Sequence, residues 1–241
     1  MLAAIRGGPI HLTLIDPDKT RGDRAAAVAR EAESLGSFGL LLGGSTGITP
    51  GAMGEVAATV HRTTRLPVII FPQGAESLTG EADAILFMSL LNSRNVGHVV
   101  RLQARASLAV KSLGIEPIST AYIVVAPGMK VGEVGEADCV PREDPKMACG
   151  YALAAQYFGM RMIYLEAGSG APAPVPADMV RAVKEATHLP VIVGGGIRTE
   201  ADARAVLDGG ADVLVTGTVV EEDGGSALAP ILGEVRRRRA R

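Results

Sequence analysis

Val191-Ile192-Val193-Gly194-Gly195-Gly196-Ile197-Arg198-Thr199 and, about twenty residues further on, Ala211-Asp212-Val213-Leu214-Val215-Thr216-Gly217-Thr218 decide how this chain folds. Each is a β-branched apolar run that breaks into glycine where a strand would end, so that the bare backbone can come close to a ligand. Thr199-Glu200 then marks a helix N-terminus. Backbone N–H groups at such a turn, with the positive end of a helix behind them, suit an anion. Two such units in succession near the end of a chain of 241 residues are how a (β/α)8 barrel grips a phosphate between its last two strands. For either run alone, tight turns explain the glycines equally well; the pair points to phosphate.

The length suits one large α/β domain and does not require two. With 47% hydrophobic residues the chain can bury a sizeable core, and 24 basic against 26 acidic residues give no overall field to favour nucleic acid or a membrane surface. Cys139 and Cys149 have no histidine nearby, which fits neither a disulfide framework nor a zinc site; both are read as reduced and the protein as cytoplasmic. The first residues lack the apolar stretch of a signal peptide, and no run reaches the length of a membrane span, so stable membrane insertion is not expected. With no Trp, four Tyr and four Phe, a lipid-binding pocket would be lined by small and branched aliphatic residues.

Strand-like and helix-like segments alternate without a linker. Strands are expected at Ile10–Ile15, Gly39–Leu42, Pro67–Pro72, Ala84–Ser89, Pro117–Val125, Arg161–Glu166 and the two opening runs. Helices are expected over Asp23–Leu35, Pro50–Arg62, Asn95–Leu113, Pro145–Phe158, Ala177–Thr187, Ala201–Asp208 and Ser226–Arg239. Too few periodic residues lie between Phe71 and Ala84 for a full third helix, so a loop or one or two turns is expected there, and Ala126–Glu143 reads as an insertion rich in Gly, Pro and charge. Eight strands with intervening helices point to a closed parallel TIM barrel occupying residues 1–241 as one domain; no Gly-x-Gly-x-x-Gly follows the first strand to favour an open doubly wound sheet. The terminal Arg236-Arg237-Arg238-Arg239 is read as solvated charge complementing a helix C-terminus.

Chemistry in such a barrel gathers at the C-terminal strand ends. The polar residues expected there are Asp16, Ser45, Thr46, Gln73, Asn92, Ser93, Glu166 and Ser169. Asp16, held extended by Pro17, is a helix cap, an acid or base, or, with Ser45, a source of the hard oxygen ligands that magnesium shares with substrate phosphates. Glu166, at the end of an apolar strand, is either a structural carboxylate tied to a loop N–H or a general base on a hydroxyl of a phosphorylated substrate.

His11-Leu12-Thr13-Leu14-Ile15-Asp16-Pro17-Asp18-Lys19, Gly43-Gly44-Ser45, Phe87-Met88-Ser89-Leu90-Leu91-Asn92-Ser93, Tyr164-Leu165-Glu166-Ala167-Gly168-Ser169-Gly170 and Gly194-Gly195-Gly196-Ile197-Arg198 together resemble the geranylgeranylglyceryl phosphate synthase family, in order and over nearly the whole chain. The resemblance implies a magnesium-dependent barrel prenyltransferase that joins the C3 hydroxyl of sn-glycerol 1-phosphate to geranylgeranyl diphosphate. It implies magnesium at Asp16 and Ser45 and acceptor contacts from Tyr164, Leu165, Glu166, Ala167, Gly168, Ser169, Gly170, Gly195, Gly196, Gly217 and Thr218. Glu166 takes the proton and Tyr164 joins it as a catalytic residue in the same comparison, and a homo-oligomer is expected. Thr218 stands where Asn is more usual, which puts one phosphate contact in question. The prenyl tail is expected between strands two to four and their helices, where Gly47, Gly51, Ala52 and Gly54 leave room. Two rival classes are a phosphosugar isomerase or lyase using the same clamp and a catalytically silent barrel. The first lacks a second carboxylate at the end of the fifth strand; the second is at odds with the unbroken set of polar strand ends.

Overall fold

Short runs of branched aliphatic residues, apolar on both faces, can only be satisfied when helices cover one face and other strands the second. In the computed structural model, which describes residues 1–44, 49–217 and 227–239, these runs pair in chain order and close on themselves as β1-β2-β3-β4-β5-β6-β7-β8. The strands are β1 Ile10–Ile15, β2 Gly39–Leu42, β3 Val68–Ile70, β4 Ala84–Leu90, β5 Glu116–Val124, β6 Met162–Glu166, β7 Val191–Gly194 and β8 Val213–Thr216. Closure is made by β1 against β8, with Ile10 opposite Val213 and Thr13 opposite Thr216. All pairs are parallel, so every strand delivers its C-terminal end to the same mouth.

Alternation divides the strand residues between two layers. Leu12, Leu41, Leu86, Met162, Ile192 and Val213 fill the barrel, while Leu40, Leu42, Ile163, Leu165, Val193 and Leu214 face the helices. The far end is closed by α1 (Leu2–Ile5), whose Leu2 and Ile5 pack on the inner cluster. The outer helices are α2 (Gly22–Leu35), α3 (Pro50–Thr63), α4 (Leu102–Leu113), α5 (Met129–Val134), α6 (Pro145–Tyr157), α7 (Ala177–Ala186), α8 (Glu200–Asp208) and α9 (Leu228–Arg239). Several start on side-chain caps: Thr49 accepts from the Ala52 N–H, Asp144 from Met147, and Thr199 and Asp202 form a reciprocal capping box on α8.

The third unit has only a 3-10 turn, Ala75–Ser77, as its scarce periodicity implies. The long helix expected from Asn95 begins instead as a π-helical turn, Gly97–Arg101, before α4 continues it. The insertion over Ala126–Glu143 has structure of its own. It carries α5 and is stitched down by a Val125–Val140 bridge, a Ser93–Ala137 bridge and the buried side chain of Asn92. The Asn92 Nδ2 donates to the carbonyls of Val124 and Asp138, both at 2.8 Å, and its Oδ1 accepts from the Val124 N–H at 3.0 Å.

The terminal arginines are not simply solvated charge. Arg237 and Arg238, with Arg204 of α8, surround Glu234, whose side chain is only 4% exposed. Burial alone would raise the Glu234 carboxyl, but hydrogen bonds from Arg237, Arg204 and Arg238 outweigh it and hold it at about 2. Arg236 donates to the Leu35 carbonyl and Arg239 to that of Pro9, fastening α9 to α2 and to the start of β1. One buried carboxylate on α9 thus ties down two of the four arginines, Arg237 and Arg238, while Arg236, Arg237 and Arg239 stay exposed as the sequence implied. No helix of the described residues is long and apolar enough to cross a membrane.

Candidate active site

The barrel mouth opens into a cavity of about 270 Å³. Asp16, Gln73, Glu166 and Ser169 line it, as do Gly170, Gly195, Gly196 and Gly217. Asn92 and Ser93, expected among the strand-end polar residues, are spent elsewhere: Asn92 pins the insertion, and the Ser93 hydroxyl donates to the Gly135 carbonyl at 2.6 Å. Leu165 and Ala167 turn their side chains into the core between sheet and helices, leaving only backbone to the site. Ser45, Thr46, Gly47 and Thr218 lie outside the described residues.

Glu166 ends β6 on its inner face and is 6% exposed. Its Oε1 accepts from the Gly168 N–H at 2.7 Å and its Oε2 from the Tyr122 hydroxyl at 3.2 Å; the Tyr164 hydroxyl also bonds to it. The loop N–H tie and the placement beside the glycine turn are therefore both present. Burial raises the Glu166 carboxyl above the usual range, opposed by Gly168, Tyr122 and Tyr164. Burial, and then the neighbouring carboxylate, push both tyrosine hydroxyls well above theirs, so each stays protonated as a donor. A carboxylate whose basicity burial raises, held between fixed donors, has the properties of a general base.

Tyr122 was not anticipated as a site residue. It stands directly opposite Tyr164 across the β5–β6 pair, and the two rings pack edge-to-face at 5.1 Å between centroids, with Phe71 at 5.8 Å from each. The signal was a polar-tipped aromatic inside an apolar strand at the same register as the motif tyrosine. These rings form the cavity floor, which among so few aromatic residues is a concentrated use of them.

The glycine run serves two purposes. A side chain at Gly194 would place its Cβ 2.1 Å from the Tyr164 hydroxyl, so this glycine makes room for the tyrosine rather than for a ligand. Gly195 has φ +79° and lies so close to Glu166 that a Cβ would stand 2.4 Å from Oε1. The backbone there takes a conformation that other residues resist and brings the turn against the carboxylate.

Across the mouth, Asp16 Oδ1 accepts from the Asp18 N–H at 3.0 Å, making a local turn; α2 starts only at Gly22, so Asp16 does not cap it. Lys19 Nζ lies 3.5 Å from Asp16 Oδ2. Among the described residues no group of three or more His, Cys, Asp or Glu side chains is gathered as a ready-made metal cage. Beyond Asp16 the cavity becomes apolar, running over β3 and β4 beneath α4 past Leu78, Ile85, Phe87, Leu102 and Ala106. Of the small residues expected to make room for a tail, Ala52 is buried in the core and Gly54 packs on Thr79; neither lines the cavity.

Fold and mouth together define a (β/α)8-barrel enzyme whose site has a polar, glycine-edged side and an apolar side. The chain belongs to the PcrB family, whose profile matches residues 4–234. It is 50% identical over 213 residues to the geranylgeranylglyceryl phosphate synthase of Pyrococcus horikoshii, covering 88% of this chain and 84% of that protein. With the synthase of Thermoplasma acidophilum it shares 47% identity over 238 residues, 98% of this chain and 94% of the other. The crystal structure of the Thermoplasma acidophilum enzyme in complex with its substrate sn-glycerol-1-phosphate superposes with a TM-score of 0.94, at 46% identity over 98% of this chain and 96% of that one. The wild-type enzyme of Thermoplasma volcanium gives a TM-score of 0.94 at 41% identity, with 98% of both chains covered.

Proposed function

We propose that this chain transfers a geranylgeranyl group from geranylgeranyl diphosphate to the C3 hydroxyl of sn-glycerol 1-phosphate, giving geranylgeranylglyceryl phosphate and diphosphate, the first ether bond of archaeal-type membrane lipids. The observation that carries this is one cavity holding the left-handed turn at Gly195, the buried carboxylate of Glu166 against it, and an apolar trough leading away from Asp16. The relatives named above support the same reaction.

The acceptor's phosphate is held by the Gly195-Gly196 and Gly217 turns in front of the α8 N-terminus, where N–H groups and helix dipole favour an anion. The Tyr164–Gly170 segment borders the glycerol. Anchored by its phosphate, the acceptor keeps its free hydroxyl near Glu166 and in line with the prenyl C1, which converts a bimolecular encounter into a positioned one. The hydroxyl oxygen forms the new bond to C1, the C1–oxygen bond to diphosphate breaks, and the hydroxyl proton passes to Glu166 Oε. Tyr122 and Tyr164, held protonated, aim the carboxylate and do not compete for the proton. The end of β5 thus offers a donor where an isomerase would want a second base. The prenyl tail lies in the trough over β3 and β4, where aliphatic walls exclude water from a carbon gaining positive charge.

Asp16 suits magnesium on the chemistry of its donor atoms. It lines the cavity, and Gly44 lies so close that a Cβ there would be 2.5 Å from the carboxylate, leaving no side chain between Asp16 and a ligand. Magnesium is commonly held by one or two carboxylates with water and substrate phosphates completing its shell. Ser45 is proposed as the second protein oxygen. Bound magnesium supplies stabilisation of negative charge on the departing diphosphate.

The decisive assay gives purified protein sn-glycerol 1-phosphate and a series of prenyl diphosphates with and without EDTA. Ether product that disappears with EDTA and returns with magnesium is expected; no product from any donor overturns the proposal. The same reading places the enzyme in the cytoplasm as a homo-oligomer. Exposed Leu108, Tyr157 and Phe158 offer apolar contact surface, and sedimentation at the 24.8 kDa of one chain would remove the oligomer.

A further inference from the structure

On the outer face of the barrel, in a layer otherwise almost wholly aliphatic, β1 carries His11 and Thr13, the turn into β2 carries Ser37, and β8 ends on Thr216; all four are buried. Their polar atoms form one chain. The Thr13 hydroxyl donates to Ser37 Oγ at 3.2 Å, and Ser37 Oγ lies 3.2 Å from the carbonyl oxygens of both His11 and Gly39. His11 Nδ1 is 3.1 Å from Ser37 Oγ, and His11 Nε2 is 2.9 Å from Thr216 Oγ1.

The proton inventory assigns the direction of each bond. Ser37 has one hydroxyl proton facing two carbonyl oxygens, and both of its lone pairs are then open to Thr13 and to the ring. With the Ser37 proton given to those carbonyls, Nδ1 carries the ring proton and Nε2 accepts from the Thr216 hydroxyl. Burial lowers the His11 imidazole to about 3, which keeps this single-acceptor form at any working pH. Every polar atom of the network then has a partner.

Thr216 is the last residue that β8 keeps in register. It pairs with Thr13 of β1, whereas the pairing with β7 stops one residue earlier at Val215. The next residue, Gly217, lies over Leu14 at the cavity edge. Threonine is stiff about χ1, so a hydroxyl held by Nε2 also sets how the backbone leaves the sheet. Apolar side chains of similar shape would fill this layer with nearly the same stability. What the polar pair adds is direction.

We infer that His11 is a positioning residue for the acceptor's phosphate: through Thr216 it aims the Gly217 peptide at the anion that Gly195 and Gly196 grip from the other side. The inference rests on the function proposed above.

Steady-state kinetics of the full chain with glycerol 1-phosphate and geranylgeranyl diphosphate test it. His11→Asn keeps an amide donor where Nδ1 was and loses the acceptor at Nε2; Thr216→Val loses the hydroxyl at constant shape; His11→Gln returns an acceptor near Nε2. His11→Asn and Thr216→Val are each expected to raise KM for glycerol 1-phosphate about tenfold, the worth of one hydrogen bond, with kcat and the donor KM within about twofold. The double variant should be no worse than either single one, and His11→Gln should recover most of the loss. Should His11→Asn fail to fold, the isosteric Thr216→Val and His11→Gln still decide. Unchanged acceptor KM in His11→Asn and Thr216→Val, no recovery in His11→Gln, additive losses, or equal effects on both substrates would overturn the inference. An inactive wild-type chain would instead remove the function it rests on, and an active one with unmoved variants removes this inference alone.

Discussion

Glu166 is placed where burial opposes its ionisation while Gly168, Tyr122 and Tyr164 favour it, and the balance leaves the carboxyl above its usual range. Glu166→Gln keeps the shape and the acceptor cleft but removes the proton acceptor. Turnover should fall by about two to four orders of magnitude while calorimetric binding of glycerol 1-phosphate persists. Unchanged turnover would take Glu166 out of the chemistry. Tyr122→Phe removes the donor to Oε2, one of the groups pulling the pKa down. The proposed base acts when ionised, so activity falls as pH drops through that pKa; losing the donor raises the pKa and should move the acid limb of the kcat profile to higher pH. A limb that stays put, or moves down, would show that Tyr122 does not set the state of Glu166.

The insertion after β5 shows how one side chain can order a long connection. The buried Asn92 side chain makes three hydrogen bonds to backbone, two buried ones at the β5 end and a partly buried one at Asp138. Asn92→Ala takes the partner from the Val124 N–H and from the Asp138 carbonyl, while the Val124 carbonyl keeps the Val140 N–H at 2.9 Å; the cost is about 2–4 kcal/mol on summing typical penalties. A lowered urea midpoint, with turnover reduced because Val131 and Gly135 of the insertion line the cavity, is the expected result. A midpoint equal to wild type would mean the insertion is held by other contacts. From sequence, Asn92 was assigned to the strand-end polar set by position alone, and its actual partners are 32 and 46 residues away, beyond the reach of local pattern. Helix limits were legible because caps and apolar periodicity are local; the π-helical turn was not, since its residues pattern like the helix they precede.

The closed barrel brings a polar rim and an apolar trough into one cavity, which lets the two substrate ends be altered separately. Ala106 of α4 lies on the trough wall, away from the glycine turns. Ala106→Phe should lower kcat/KM for geranylgeranyl diphosphate more than for shorter donors and leave the KM for glycerol 1-phosphate unchanged. Competition assays with mixed donors measure this; equal loss for all chain lengths would place the tail elsewhere. The trough was expected between the second to fourth strands and their helices; the apolar part of the cavity runs over β3 and β4 under α4, and of the small residues expected to leave room there, Ala52 and Gly54 do not line it.

The amino-acid sequence by itself determined the order of eight strands, the closed parallel topology, the glycine-edged mouth and the identity of Glu166 and Asp16 as the carboxylates there. Those features are written as periods, breaks and residue types that neighbours along the chain share. Only the tertiary structure decided that Tyr122 faces Glu166, that Gly194 clears space for Tyr164, that Glu234 gathers Arg204, Arg237 and Arg238, and that His11 reaches Thr216. Each of these joins residues brought together by barrel closure or helix packing, and distance along the chain carries no record of which side chains a closed sheet will set face to face.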